Sequence, residues 1–403
     1  MKILIFSWRD IKNPKAGGAE TYTHEIAKRW TKMGHEVSLI SAHFPNSKPS
    51  QTVDGVKIYR PQYFDHYSPF AYIAYLFKTA FFYKNNFEGK VDLVIDQVHG
   101  LPLFCKFYVR EKVVVLPLEV AKKIWFYEIP FPFSLAGYIL EKIYLQYYKS
   151  SPFLTISTST ARDLKSFGIK NISVVNPGIS IKPAGKIPLK SKNPLFVTLS
   201  RVTKMKRIEE TLKAFSLTTK EFPKSKLVVI GTGSEGYLKK VKSLTEKLRI
   251  KDKVKFTGFI NEEEKFKYLA KAWAIVSTSL HEGWGINIIE AAACGTPAVT
   301  YKVPGLVDSV QHGLTGLLCS KNDPQTLSKN LNLLLINHKL RLELSKDALS
   351  FSQQFNWDKA AMKSLTILEG CVKMRQNVKN TAPLRQKRRG QISPEITRAA
   401  SWE

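Results

Sequence analysis

The sequence has little cysteine, no long hydrophobic run and no secretion signal. Its 403 residues include 4 cysteines, and no two of them have the spacing of a metal site or a redox motif. We therefore expect reduced, mostly buried thiols in a cytosolic protein. The longest apolar stretch, residues 69–83, is interrupted by Lys78 and falls short of the ~20 residues that a membrane-spanning helix needs. The N-terminus lacks a long apolar signal segment and predicts a buried strand instead.

Acidic residues are also scarce. The chain has 62 Lys and Arg against 33 Asp and Glu, a formal net charge of +29. The excess is spread through the chain and is not confined to a tail. Such an excess of positive charge attracts polyanions, which include nucleotides, nucleic acid and an anionic membrane surface. A generally basic, solvated surface explains the same charge equally well.

The length and the alternation of strands with helices predict two α/β domains. A chain this long exceeds one ordinary core, and the βαβ rhythm favours parallel sheets covered on both faces. We assign residues 1–180 to a first Rossmann-like domain and residues 195–354 to a second. Residues 181–194 are rich in proline and lysine, lack periodicity and predict a linker. Residues 374–403 predict a basic, disordered tail.

Two doubly wound domains in series leave a cleft between the carboxyl ends of their strands, where ligands bind in open α/β sheets. The most informative segment for such a site is Thr278–Thr300. A loop with a glutamate and two glycines precedes a helix that carries a second glutamate. Glycines allow the backbone to approach a ligand, and a helix start offers unpaired N–H groups to a phosphate. Taken alone, the two glutamates are more typical of solvent-facing positions in a structural turn.

This segment resembles the signature of glycosyltransferase family 4, the group 1 glycosyltransferases of the GT-B fold. The matching residues are Glu282, Trp284, Gly285, Glu290, Ala291, Ala293, Gly295 and Pro297. The resemblance implies that Glu282 contacts the donor sugar and Glu290 the ribose of the nucleotide. It places Gly283, Gly285 and Ile286 beside the sugar and diphosphate, and adds Trp284 and Asn287 to the donor-binding set. It also implies that a helix at about 355–373 returns to the first domain.

The second segment of interest is Ser200–Arg207, which follows the first strand of the second domain. The family places an arginine and a lysine here, five residues apart, against the diphosphate, and Arg201 and Lys206 match that spacing. These cations would neutralise the charge that grows on the leaving nucleotide diphosphate. Lys204 and Arg207 are neighbouring alternatives. The sequence has no Asp-x-Asp pair, so we predict no metal site, and no cofactor besides a UDP- or GDP-linked sugar as substrate.

Three glycine and aromatic segments complete the predicted donor site. Gly17 and Gly18 lie where the family has a Gly-Gly run after the first strand, and we expect this loop to reach across the cleft. Gly231 and Gly233 end the second strand of the second domain in a Gly-x-Gly loop. Phe259 belongs to a segment that the family places near the nucleobase.

One departure from the family concerns the first domain. Many relatives carry a histidine at the end of the strand that precedes Trp125, but the corresponding stretch, residues 113–119, has none. Glu119 and His99 are the two candidates for that catalytic role. A lone histidine such as His99 is more often a hydrogen-bonded structural residue.

The resemblance implies a retaining enzyme that moves a sugar from a nucleoside-diphosphate sugar to an acceptor hydroxyl, by front-face displacement. A glycan or a lipid-linked acceptor fits, as in polysaccharide biosynthesis. Two rival functions stay open: an epimerase or hydrolase of the same fold, and an inactive scaffold that binds membrane or, less favoured, nucleic acid. Two aromatic-rich segments, Tyr63–Phe87 and Trp125–Tyr148, favour core packing over the alternative, a membrane interface or a lipid-linked acceptor. We expect a cytoplasmic protein, bound at most to the inner face of the cell membrane.

Overall fold

The computed structural model of the chain describes residues 1–61, 69–98 and 100–381. Those residues form two sheets, one in each half of the chain. The first has the order β3-β4-β2-β1-β5-β6-β7-β8 and the second β11-β10-β9-β12-β13-β14. The strands of the first sheet are β1 (Lys2–Phe6), β2 (Glu36–Ile40), β3 (Ser50–Val53), β4 (Val56–Tyr59), β5 (Leu93–Val98), β6 (Lys112–Pro117), β7 (Phe153–Thr155) and β8 (Ile172–Val174). Those of the second are β9 (Leu195–Leu199), β10 (Lys226–Ile230), β11 (Val254–Gly258), β12 (Ala274–Ser277), β13 (Ala298–Thr300) and β14 (Gly316–Leu318).

Helices cover both faces of each sheet. The first half of the chain contains α1 (Gly18–Lys32), α2 (Pro69–Asn86), α3 (Trp125–Glu128), α4 (Phe133–Tyr147) and α5 (Thr158–Ser166). The second half contains α6 (Ile208–Glu221), α7 (Glu235–Lys247), α8 (Glu262–Lys271), α9 (Ile286–Ala293), α10 (Leu306–Ser309), α11 (Pro324–Ile336), α12 (His338–Ser352) and α13 (Trp357–Thr381). This architecture confirms the prediction of two doubly wound, parallel-sheet domains.

The one antiparallel pair in the described sheets, β3 with β4, was not predicted. Both strands are short, and β3 alternates exposed with half-buried residues, so neither has the apolar run of the central strands. A turn signal was nevertheless present in the sequence. Asp54 and Gly55 connect the strands at φ of 50° and 85°, and Asp-Gly is the dipeptide that two-residue hairpins prefer.

The last helix packs on the first domain. Trp30 Nε1 in α1 donates to the Ala361 carbonyl at 3.0 Å, and the rings of Tyr22 and Trp357 lie 6.0 Å apart. The helix continues to Thr381, past the boundary predicted at residue 373. The expectation of a tail from residue 374 is therefore wrong for residues 374–381, and residues 382–403 lie outside the described part of the chain.

The predicted linker, residues 181–194, contains no helix or strand but is bound to the second domain. Lys190 Nζ donates to the carbonyls of Ala270 and Cys294, each at 3.1 Å, and to Thr296 Oγ1 at 2.6 Å. Burial lowers the pKa of Lys190 to about 8. The segment is therefore bound to the C-terminal end of α9, because Lys190 donates to the carbonyl of Cys294, the residue that follows this helix.

A buried ion pair shapes the loop that follows β1. Arg60 Nε and Nη2 donate to the two carboxylate oxygens of Asp10 at 2.8 and 2.9 Å, and both side chains are fully buried. Ser41 Oγ and the backbone N–H of Lys12 also donate to Asp10. Burial raises the pKa of Asp10, but these donors outweigh burial, and the pKa lies below its usual value. The pair anchors the start of the loop that leads to Gly17.

Replacing Arg60 with methionine should reduce the free energy of unfolding by about 3–5 kcal/mol near pH 7, because it leaves Asp10 charged, buried and unpaired. A depressed carboxyl pKa stabilises the fold above about pH 4 and loses this effect as the pH falls through the folded-state pKa. The difference in unfolding free energy between wild type and Arg60→Met should therefore become smaller at acidic pH. Urea denaturation at several pH values measures this difference.

The matched control is Lys57→Met, which removes an exposed ion pair with Glu36. That change should cost less than about 1 kcal/mol. Equal costs for the two variants would contradict a special role for the buried pair.

Candidate active site in the interdomain cleft

The loops after the strand ends of the two sheets approach each other closely. A Cβ atom built on Gly18, at the start of α1, would lie 3.9 Å from Ile286 Cδ1, at the start of α9. A Cβ on Gly283 would lie 2.7 Å from the Leu118 carbonyl oxygen, which follows β6. Two of the predicted glycines thus lie where the domains face one another, and Gly283 has no room for a side chain.

The loop that follows β1 is held at Gly17 by the carboxylate of Glu20. Glu20 Oε2 accepts the backbone N–H of Gly17 at 2.7 Å, and Glu20 Oε1 accepts Arg9 Nε at 3.0 Å. This arrangement fixes the beginning of α1, whose first turn otherwise has unpaired N–H groups. The first-domain loop is therefore positioned by its own side chains.

The centre of the candidate site is an ion pair between two predicted residues. Lys206 Nζ lies 2.6 Å from Glu282 Oε1, and Ser279 Oγ donates to the same oxygen at 2.6 Å. Both side chains are mostly buried, with exposed fractions of 17% and 15%. Burial raises the pKa of Glu282, but the Lys206 ammonium and the Ser279 hydroxyl lower it further than burial raises it. Glu282 is therefore a carboxylate at neutral pH.

Hydrogen bonds to backbone carbonyls bring the Lys206 and Glu282 segments together. Thr278 Oγ1 donates to the Arg207 carbonyl at 2.8 Å, and the Leu280 N–H donates to the Met205 carbonyl at 2.9 Å. They join the loop after β12 to the short 3-10 helix Lys204–Lys206, which follows β9. Because β9 and β12 are neighbours in the sheet, residues far apart in sequence meet at one edge.

The structure distinguishes Lys206 from its alternatives. Lys204 is exposed, and Arg207 lies 3.2 Å from Glu210 and over the ring of Tyr301. Lys206 is the one of these three that pairs with Glu282. The geometry of the Lys204–Lys206 turn decides which lysine reaches Glu282, whereas the sequence spacing left Lys204 and Arg207 as alternatives.

Arg201 is exposed at the end of β9, on a loop packed against the predicted Gly-x-Gly loop. A Cβ on Gly231 would lie 1.9 Å from the Ser200 carbonyl oxygen, and a Cβ on Gly233 would lie 2.0 Å from that of Val202. Both glycines are thus required by backbone packing. Their contacts position the Arg201 loop and do not reach the Lys206–Glu282 pair.

The start of α9 is attached to both domains. Asn287 Nδ2 donates to the Leu199 carbonyl at 2.7 Å, which ties the helix to the end of β9. Gly285 is the N-cap residue, with φ of 96°. Trp284 is buried, and its ring lies 5.5 Å from that of Phe355. The predicted donor residue Trp284 therefore packs in an apolar cluster that spans both domains.

Glu290 forms a separate polar group. Lys265 Nζ lies 2.9 Å from Glu290 Oε1 and 2.8 Å from Glu262 Oε2. Burial raises the pKa of Glu290 above its usual value, although Lys265 acts in the opposite direction. Lys265 is on α8 and was not predicted, because no sequence pattern connects it with a residue on the next helix.

The first-domain candidates have different outcomes. Glu119 Oε2 lies 3.9 Å from His281 Nε2, across the gap between the domains. His281 and Ser279 were missed, although their positions beside Glu282 were a signal. His99 lies outside the described residues.

Phe259, the residue predicted near the nucleobase, follows the edge strand β11 of the second domain. It is 85% exposed, without a contact that joins it to Glu282.

The described residues contain no group of three or more His, Cys, Asp or Glu side chains that is arranged to hold a metal ion. Within the same part of the chain, no helix is both long and apolar enough to cross a membrane. The chemistry that these residues support is the binding of an anion by Lys206, Arg201 and the start of α9.

Gly305→Ala should disturb the site more than Gly313→Ala. Both glycines have φ near +80°, so each substitution strains the backbone by about 1–2 kcal/mol. A Cβ on Gly305 would additionally lie 2.1 Å from the Glu282 carbonyl oxygen, whereas nothing lies within 4 Å of a Cβ on Gly313. Thermal unfolding should show a melting temperature at least about 3 °C lower for Gly305→Ala than for Gly313→Ala. Equal melting temperatures would show that the Glu282 loop is not held in this close contact.

Solved structures of known proteins share this fold. Sucrose-phosphate synthase from Thermosynechococcus elongatus matches with a TM-score of 0.77 and 17% identity, over 94% of this chain and 100% of that one. Anabaena Alr3699/HepE in complex with UDP-glucose matches with a TM-score of 0.69 and 17% identity, over 92% and 100%. WaaG, a glycosyltransferase involved in lipopolysaccharide biosynthesis, matches with a TM-score of 0.72 and 17% identity, over 91% and 99%. These likenesses establish the GT-B arrangement of two Rossmann-like domains.

Comparisons of the sequence with other proteins identify glycosyltransferases as relatives. An uncharacterized glycosyltransferase of Haemophilus influenzae is 25% identical over 85% of this chain and 94% of its own length. A second, from Methanocaldococcus jannaschii, is 23% identical over 93% and 99%. The profile of Glycosyltransferase Family 4 matches residues 16–182, and that of glycosyl transferases group 1 matches residues 182–351. The chain therefore belongs to the group 1 glycosyltransferases of family 4 and is a glycosyltransferase.

Proposed function

We propose that the protein transfers a sugar from a UDP- or GDP-linked donor to an acceptor hydroxyl with retention of anomeric configuration and without a metal ion. The Lys206–Glu282 ion pair carries this proposal. Glu282 lies four residues before Ile286, the first residue of α9, and Gly18 of the first domain approaches Ile286. A diphosphate at the helix start would therefore bind close to the ion pair, with its sugar beside it. The structure of Alr3699/HepE in complex with UDP-glucose supports a nucleotide sugar as the donor.

The cations act on the leaving group. A diphosphate bound at the start of α9 draws Lys206 away from Glu282, and Arg201 at the neighbouring loop adds a second positive charge. Both stabilise the negative charge that develops as the bond from the sugar to the diphosphate breaks. Since the diphosphate and the acceptor lie on the same face of the sugar, a diphosphate oxygen takes the acceptor proton.

The carboxylates bind hydroxyl groups of the donor. Glu282 loses Lys206 to the diphosphate, and its oxygens become free to accept hydrogen bonds from the sugar. Glu290 is held in place by Lys265 on α8 and accepts from the ribose. Glu119 of the first domain faces His281 of the second domain across the gap, where the acceptor enters. A glycan or lipid-linked acceptor agrees with the role of WaaG in lipopolysaccharide biosynthesis.

Thermal unfolding with a panel of nucleoside diphosphates tests donor binding. UDP or GDP at one hundred times its dissociation constant should stabilise the protein by about 2.7 kcal/mol, because it binds only the folded state. Arg201→Ala and Lys206→Ala should lose most of this ligand-induced shift.

Lys204→Ala is the matched control, since Lys204 is exposed on the same turn and has the same charge. It should keep the full shift. Lys206→Ala also removes the partner of Glu282, so each variant is compared with and without nucleotide. A stabilisation that survives both Arg201→Ala and Lys206→Ala would place the nucleotide elsewhere.

Transfer activity should be unchanged after extensive treatment with EDTA, because lysine, arginine and the helix start replace a divalent ion. The assay follows nucleoside diphosphate release from UDP- and GDP-sugars with and without membrane and glycan extracts as acceptors. Activity that disappears with EDTA and returns with Mg²⁺ or Mn²⁺ would contradict the metal-independent mechanism. Release that is equally fast without any acceptor would identify a hydrolase, and proton NMR of the product measures its anomeric configuration.

A further inference from the structure

The two faces of the first sheet are covered by different kinds of helices. On one face, α1 and α13 pack over the strands. On the other face, α2 contributes Tyr75 and Tyr83, and α4 contributes Tyr144 and Leu145, to the apolar core above the strands. Since both helices bury these residues against the same side of the sheet, their outer faces are directed away from that side.

The outer faces of α2 and α4 are apolar. Each carries a row of large side chains at intervals of four residues, which is one stripe of a helix. The six residues, with their exposed fractions, are Ile73 (48%), Phe77 (73%), Phe81 (69%), Leu135 (40%), Ile139 (47%) and Ile143 (58%). We call these six residues the apolar face.

This exposure is concentrated in one part of the chain, which includes α2, α3 and α4. In the described part of the chain, 12 of the 20 exposed large apolar side chains lie between residues 73 and 143. The opposite side of the sheet differs, because Glu25 of α1 forms ion pairs with Lys28 and Arg29 on the same helix. A concentrated apolar patch on an otherwise polar protein marks an interaction site.

Positive charge accompanies the apolar face. Lys78 and Lys84 on α2 and Lys142 on α4 are exposed. The two helices contain a single carboxylate, Glu141, which is buried and accepts the backbone N–H groups of Ala121 and Lys122. The surface therefore presents apolar side chains and lysines without an exposed carboxylate of these helices between them.

The apolar surface extends beyond both ends of α4. At the C-terminal end, away from the cleft, Phe107 is 66% exposed and stacks on Tyr147 with ring centroids 4.2 Å apart. Beyond the start of α4, the half-exposed Phe126 and Tyr127 belong to α3, which lies beside the turn that carries Lys206. One end of this surface thus adjoins the candidate active site.

We propose that the apolar face docks on an anionic lipid bilayer, with α2 and α4 lying in the plane of the interface. Both helices are apolar on the side that faces the sheet and on the outer side, so their exposed apolar side chains can enter the bilayer interface while the lysines contact anionic headgroups. The net charge of +29 complements anionic lipids. The proposal concerns an interaction and does not depend on the donor chemistry. Docking in this orientation brings the cleft next to the bilayer, so that a lipid-linked acceptor reaches the active site without leaving the membrane.

Co-sedimentation of the full-length protein with vesicles tests the proposal. The vesicles contain either phosphatidylcholine alone or equal parts of phosphatidylcholine and phosphatidylglycerol. Wild-type protein should bind the anionic vesicles and should bind them less at high salt. The double variants Phe77→Glu/Phe81→Glu and Ile139→Glu/Ile143→Glu should each bind at least about tenfold more weakly, because each removes two apolar side chains from the interface.

Ile336→Glu, at an exposed position on α11 of the second domain, is the matched control and should bind as the wild type does. Nucleotide-induced thermal shifts should be the same in all of these variants, which shows that they fold and separates docking from donor binding. Wild-type protein that stays in the supernatant, or glutamate variants that bind normally, would overturn the proposal. So would a wild-type dimer in sedimentation velocity that the glutamate variants dissociate without any vesicle binding, since the face would then join two copies of the chain.

Discussion

The pairing of Lys206 with Glu282 is the interaction on which the candidate site depends. An ammonium and a carboxylate that are both mostly buried stay charged because each satisfies the other, and Ser279 contributes a further hydrogen bond. The pair keeps a cation ready at the start of α9 without leaving it uncompensated. In the proposed mechanism, an incoming diphosphate competes for the lysine, and the same event frees the glutamate. One contact would thus couple the binding of the nucleotide to that of the sugar.

Close packing of backbone at glycines makes this contact possible. Gly305 packs against the backbone of Glu282, and Gly231 and Gly233 pack against the backbone of the Arg201 loop. Gly283 brings the same Glu282 loop against the first domain. A Cβ atom at any of these positions would lie within 2.7 Å of a backbone carbonyl oxygen, so a side chain would push the loops apart. These four glycines therefore allow the charged loops to approach one another.

The first domain combines a conventional core with an unusual surface. The face of its sheet under α1 and α13 joins the second domain through Trp284 and Phe355 in one apolar cluster. The other face carries α2 and α4, whose outer sides are apolar and basic. The apolar cluster of Trp284 and Phe355 and the apolar face lie on opposite sides of one sheet, so a bilayer docked as proposed would not contact that cluster.

The sequence by itself determined the two parallel-sheet domains and the family, because strand and helix periodicity and the Glu282–Pro297 motif are local patterns. Only the tertiary structure decided which charges meet. Lys206 was one of three adjacent cations, and the partner of Glu290 was not predictable, since Lys265 reaches it from a separate helix. For the aromatic segments, the sequence favoured core packing over a membrane interface. In their described residues, Tyr75 and Tyr144 are buried whereas Phe77 and Phe81 are exposed. This division depends on which side of each helix faces the sheet, and that is set by packing between residues distant in the chain.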